Sequence, residues 1–191
     1  MARFVATAAP AVTLTFALAL SACSGSRVVS DNVSTAYSPL EFSSAAGGRD
    51  LATEVYGNPF PVDQSSFDRS VTDLMQGQHF GPPTHFTTTP DESANRRYKV
   101  VMVFNPAENI ANPQICSGGP IATDKRPGQP IRLQAAFCRG GTLTSTNGWA
   151  PAVASPQDAA FRSLITDTTF ELFPLRDPNR SDSNCGMSIG C

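Results

Sequence analysis

The 191-residue chain predicts an α+β domain: a small mixed sheet with two helices packed on one face, joined by long Pro/Gly-rich loops. Three observations predict it. The run Tyr98-Lys99-Val100-Val101-Met102-Val103-Phe104 is continuously apolar and β-branched, as a strand covered on both faces must be. Ile131, Leu133, Ala135 and Phe137 alternate with Arg132, Gln134, Ala136 and Cys138, the period of two that marks a half-buried strand. Two further stretches combine helix-start chemistry with apolar residues three and four apart. The order is strand, helix, strand, strand, helix and a candidate last strand, which makes a ferredoxin-like arrangement the candidate topology.

Leu51 opens the first strand, which Gly57-Asn58-Pro59 closes. Ser65-Ser66-Phe67-Asp68 has the Ser-x-x-Asp spacing of a helix start, where a side-chain oxygen accepts a free backbone N–H and the acid faces the positive dipole end. Phe67, Val71, Leu74 and Met75 then form one apolar face, and Gly77 stops the helix. Residues 78–90 read as loop, because Pro82, Pro83 and Pro90 bar regular pairing. The run at 98–104 is the expected sheet centre, ended by Asn105-Pro106. Residues 107–130 hold four prolines and read as a long loop before the alternating strand at 131–138. Gly140-Gly141 turns the chain and Asn147-Gly148 is a second turn candidate. Ser155-Pro156-Gln157-Asp158 starts the second helix with Pro at the first helical position, and Phe161, Leu164 and Ile165 are its buried stripe. Thr168-Thr169 and Pro174 favour a last strand over residues 170–173.

Upstream of this domain, Arg3 is followed by an apolar segment over residues 4–20 interrupted by Pro10, the pattern of a secretory signal. The segment is short of the roughly 20 clean apolar residues of a spanning helix. It ends in Leu20-Ser21-Ala22-Cys23. These four residues resemble the lipobox of bacterial lipoproteins, a resemblance confined to the first 23 residues. It implies cleavage before Cys23, acylation of that sulfur and of the new N-terminus, and a membrane-lipid partner. Stable anchoring takes two or more chains at about 0.8 kcal/mol per buried methylene, and the family carries three. Ser24 in place of Asp implies the outer membrane, facing the periplasm, where the cell has one. The expected organisation is a signal peptide over 1–22, a flexible tether over 23–48, a single α+β domain over 49–175, and a polar tail over 176–191. The tether reading rests on the Ser, Ala and Gly content of 24–48 and its lack of periodicity.

Arg3 is the only charge before Cys23, so the 14 Lys and Arg of the chain leave 13 after it against 16 Asp and Glu. A formal charge near −3 argues against nucleic acid or strongly anionic lipid as partners. Besides Cys23 there are Cys116, Cys138, Cys185 and Cys191. An even count in an exported chain reads as disulfides, with three connectivities open. The local pairs Cys116–Cys138 and Cys185–Cys191 are the expected ones. No Cys-x-x-Cys spacing supports a metal.

Candidate chemistry is sparse. Gly186-Met187-Ser188-Ile189-Gly190 matches the Gly-x-Ser-x-Gly of a hydrolase nucleophile elbow, but an elbow wants its acid and His later in the chain, and His79 and His85 lie far upstream. Ser188-Ile189-Gly190-Cys191 is similar to the Ser-x-Gly-Cys of L,D-transpeptidases, but the His-Gly partner is missing: Phe80 follows His79 and Phe86 follows His85. The segment His79-Phe80-Gly81-Pro82-Pro83-Thr84-His85-Phe86 is the most distinctive. Two imidazoles on a Pro-stiffened loop are weak candidates for metal binding or acid–base work, with Asp91 or Glu92 as further ligands if the loop folds back. The simpler expectation is that Phe80 and Phe86 plug the core edge and both His meet solvent or backbone. No phosphate-binding or dinucleotide Gly pattern occurs, and no cofactor is expected. The sequence therefore points to an envelope lipoprotein acting as a non-catalytic structural or interaction module, with an envelope protein as partner. The alternative is an envelope enzyme or metal-binding protein using His79 and His85.

Overall fold

A computed structural model describes residues 25–175. The elements run β1 (Arg27–Val33), α1 (Pro39–Ala46), β2 (Asp50–Tyr56), α2 (Gln64–Met75), β3 (His85–Thr87), β4 (Lys99–Phe104), α3 (Asn112–Ile115), β5 (Ile131–Cys138), β6 (Thr142–Ala150) and α4 (Ala159–Leu172). The six strands form one open mixed sheet in the order β1-β6-β5-β4-β2-β3. β1, β6, β5 and β4 pair antiparallel, whereas β2 pairs parallel with both β4 and β3. The α+β class holds, but the element order is not the β-α-β-β-α-β of a ferredoxin-like domain.

β4 and β5 occupy the centre, as their composition requires. Val100, Met102 and Phe104 share one core cluster with residues of α1, α2 and α4, while Val101 and Val103 share a second, smaller one with Ile115, Cys116, Ala136 and Cys138. The three longer helices therefore cover one face. The loop carrying α3 covers part of the other. A disulfide between Cys116 and Cys138, with Cα atoms 5.6 Å apart, fastens that loop to β5. It was one of the two expected pairs. Cys185–Cys191 and the tail lie outside the described residues, as do the signal and Cys23.

Several elements differ from the sequence expectation. The tether over 23–48 does not hold where it is described, because β1 and α1 occupy most of it. β1 carries no apolar alternation; its backbone pairs with β6 at the sheet edge, and backbone pairing leaves little trace in composition. α1 did carry a signal: Ser38 Oγ accepts the Glu41 N–H at 3.1 Å with Pro39 in the first turn, and Phe42, Ala45 and Ala46 are buried. α2 starts one turn-residue earlier than Ser65, capped by Asp63, whose carboxylate accepts the Ser66 N–H at 2.8 Å. The Ser65 hydroxyl, which donates to the same carboxylate at 2.6 Å, and the bonds from Ser66 hold the Asp63 carboxyl well below its usual range. Asp158, not Ser155, caps α4, so Pro156 lies outside the helix.

Asn147-Gly148 is not a turn; β6 runs straight through it. Gly148 is needed there because a Cβ would sit 2.6 Å from Leu164 Cδ1 on α4. Residues 170–172 continue α4 rather than forming a strand. Thr169 tolerates the helix by donating its hydroxyl to the Ile165 carbonyl at 2.8 Å, and Thr144 donates to the Leu172 carbonyl at 2.7 Å. At the end of β4, Asn105 adopts φ 47°, a left-handed conformation that Asn tolerates. It is locked there: its N–H donates to the Arg132 carbonyl, and its side-chain oxygen accepts the Arg132 N–H at 2.9 Å.

Candidate functional site: the loop at 79–86

The loop that follows α2 returns the chain to the sheet, and its path is set by hydrogen bonds at both ends. Gln76, after the last turn of α2, acts as a surrogate strand partner for Phe86: its Nε2 donates to the Phe86 carbonyl at 2.8 Å and its Oε1 accepts the Phe86 N–H. The Pro83 carbonyl accepts the Gly48 N–H at 2.7 Å, and the Thr84 hydroxyl donates to the Ala46 carbonyl. Gly81 takes φ 137°, and a Cβ there would touch the Phe42 ring at 3.0 Å. The loop thus lies against the end of α1. His85, Phe86 and Thr87 are not loop, as expected from the prolines, but a short strand parallel to β2.

The two imidazoles sit in different surroundings. The His79 ring packs edge-on against Phe42 at 5.1 Å, Phe86 at 5.5 Å and Phe173 at 6.0 Å. Its Nδ1 is buried without a hydrogen-bond partner, and burial holds the imidazole below its usual pKa. Burial there favours the neutral ring. His85 is exposed, and its Nδ1 lies 2.7 Å from Asp50 Oδ1, the residue opposite it in the β2–β3 register. Asp50 also accepts the Asp91 N–H through Oδ2 at 2.9 Å, and these contacts keep its carboxyl below the ordinary range, the Asp91 bond first. Asp50 was invisible from sequence, because its meeting with His85 depends on a strand pairing that the prolines argued against. Asp91 approaches through its backbone, not as a ligand, and among the described residues no three His, Cys, Asp or Glu gather to hold a metal.

The two Phe residues of the loop part company as well. Phe86 is buried in the core. Phe80, expected to plug the core edge, is 51% exposed and stands against Phe170, itself 46% exposed, with ring centroids 4.9 Å apart. His79 takes the place among Phe42, Phe86 and Phe173, beside a Gly81 whose missing Cβ leaves room at the Phe42 ring. The Phe80–Phe170 pair therefore bridges the loop and the outer side of α4 as an apolar patch open to solvent. It lies toward the end of the sheet where β5 finishes, since the end of α4 packs against Phe137 and Thr144 there. Sequence reasoning missed Phe170 because it was assigned to a strand. The residues of the Gly-x-Ser-x-Gly match lie outside the described residues.

No protein-family model matches the chain, and no curated protein matches it. Among solved structures it is similar to a PelC dodecamer from Paraburkholderia phytofirmans, at 13% identity and a TM-score of 0.39, over 77% of this chain and 97% of that one. A likeness of that degree carries no inference about function.

Proposed function

We propose that the protein is a lipid-anchored envelope protein that works as a non-catalytic interaction module, held to the membrane through acylated Cys23. The anchor rests on Leu20-Ser21-Ala22-Cys23 after an apolar run. The observation that carries the module reading is the exposed Phe80–Phe170 pair. Two aromatic rings held together in water, one on a stiffened loop and one on a packed helix, form a preorganised apolar anchor of the kind that protein interfaces use at their centres. The outer membrane, facing the periplasm, is the location the anchor favours.

The test is fractionation with in-cell crosslinking. In the parent, the protein is membrane-bound with acyl mass on its N-terminal residue and crosslinks to a protein partner. Cys23→Ser releases it from the membrane. Phe80→Ser with Phe170→Ser leaves it membrane-bound and folded by circular dichroism but strips the crosslink. An unacylated parent refutes the anchor. A crosslinking pattern unchanged in the double variant refutes the module.

A further inference from the structure

The chain between anchor and domain is too short to leave the domain's orientation open. Resting on the lipid-anchor reading above, Cys23 is separated from β1 by Ser24, Gly25 and Ser26 alone. Four peptide steps span at most about 14 Å when fully extended. Arg27, where β1 begins, must therefore stay within that reach of the acylated residue.

What stands beside Arg27 is specific. In the register of the sheet Arg27 lies opposite Trp149, and Trp149 lies opposite Arg132. The three form a row across β1, β6 and β5. Directly opposed residues in a sheet project from the same face. That face is the one opposite the three longer helices, and the loop carrying α3 covers it over β4, β5 and part of β6. Val29, on the same face two residues along β1, is 65% exposed, and Trp149 is 39% exposed. So the sheet margin nearest the anchor carries two exposed apolar side chains flanked by guanidinium groups. Asp31 accepts a hydrogen bond from Ser145 and lines the same recess as Arg132 and Trp149, while Glu54, at the β2 side of this face, is paired with Lys99. Arg132 spends one N–H on the Pro106 carbonyl and still lines an open recess beside Trp149.

We infer that this face is the surface on which the domain rests against the bilayer, with Trp149 and Val29 in the headgroup region and Arg27 and Arg132 on lipid phosphates. Trp is suited to that depth because its ring is apolar and its N–H needs a polar partner. Arg is suited because its planar fork meets phosphate oxygens while its stem stays on apolar surface. The Phe80–Phe170 patch then points away from the membrane. It lies toward the other end of the sheet, since the five residue steps from Trp149 to Thr144 span roughly 17 Å.

Trp149 is the chain's single tryptophan, so its emission reports on this face alone. The full acylated protein is reconstituted into phosphatidylethanolamine–phosphatidylglycerol vesicles, with and without lipids brominated near the headgroup. The expected result is a blue shift on reconstitution and loss of emission to the brominated lipid. Arg27→Glu should weaken that quenching while the protein still floats with the vesicles. Flotation with unshifted, unquenched emission overturns the inference and leaves the anchor standing. A blue shift without lipid quenching also overturns it, because Trp149 is then covered by another copy of the chain. Failure to float with vesicles overturns the anchor reading and this inference together.

Discussion

His79 joins the two sides of a choice that sequence could only pose. An imidazole in a Pro-rich loop suggests chemistry, yet here the ring fills a gap between Phe42, Phe86 and Phe173 as a small aromatic would. Burial disfavours its protonated form and outweighs the opposing pull of the Phe80 backbone. Because the folded-state pKa lies below the unfolded value of 6.5, the unfolded chain takes up the proton first. The stability owed to a neutral His79 is therefore full above pH 6.5 and falls as pH drops below it. Asp50, also lowered, acts in a separate window, losing its contribution only in acid below 3.8. Urea midpoints at stepped pH should decline between pH 7 and 5 for the parent, and His79→Leu should flatten that decline. An equal slope in the variant would remove His79 as its source. The same residue scale holds Asn105, whose left-handed backbone and two bonds to Arg132 turn the chain out of β4.

Helix α4 and strand β6 are the elements whose packing most constrains the fold. Thr144, Thr146 and Gly148 are the β6 residues alternating toward the helix side, and Gly148 brings the strand backbone within a Cβ's reach of Leu164 and Thr168. Leu164 is fully buried, in an interior packed closely enough that added volume is felt. Gly148→Val should therefore overpack this seam and cost about 1–3 kcal/mol, measured by chemical denaturation. A smaller effect would mean that α4 can lift from β6 without loss. This pairing was only half legible. The stripe of Phe161, Leu164 and Ile165 announced the helix, but the threonines at its end argued for a strand. Threonine's preference is a weak prior, and Thr169 satisfies its hydroxyl inside the helix through Ile165. Asn147-Gly148 looked like a turn because glycine serves turns and close packing equally well. β1 and β3 were unreadable for a different reason: both are edge strands, held by backbone bonds that any residue can make.

The molecule as a whole has a sheet whose two faces are covered by different means. Helices α1, α2 and α4 build an aromatic-rich core on one side, where Phe67, Phe104 and Phe161 meet within 6 Å. On the other side a long loop supplies little apolar area, and the Cys116–Cys138 bond ties it down across 22 residues. A crosslink of that span is worth about 3 kcal/mol in the chain-entropy model. Replacing both cysteines with serine should lower unfolding free energy by about that amount, and reductant should then have no further effect on the Cys116–Cys138 region in peptide mapping. A loss well under 1 kcal/mol would show that Ile115 and its neighbours hold the loop unaided. The uncovered remainder of that face is where Arg27, Val29 and Trp149 stand.

What the sequence determined by itself was local: the α+β class, the central strands at 99–104 and 131–138, and the bodies of α2 and α4. Each of these is written in periodicity, capping chemistry or short spacing, which act within a few residues of one another. Only the tertiary structure decided that β1 and α1 belong to the domain, that His85 meets Asp50, that His79 rather than Phe80 packs against Phe42, Phe86 and Phe173, and that Phe80 meets Phe170 in solvent. Those outcomes depend on which strands lie side by side and on which side chains fit the spaces between them. Backbone hydrogen bonding and space-filling between distant segments choose among them, and neither leaves a periodic trace along the chain.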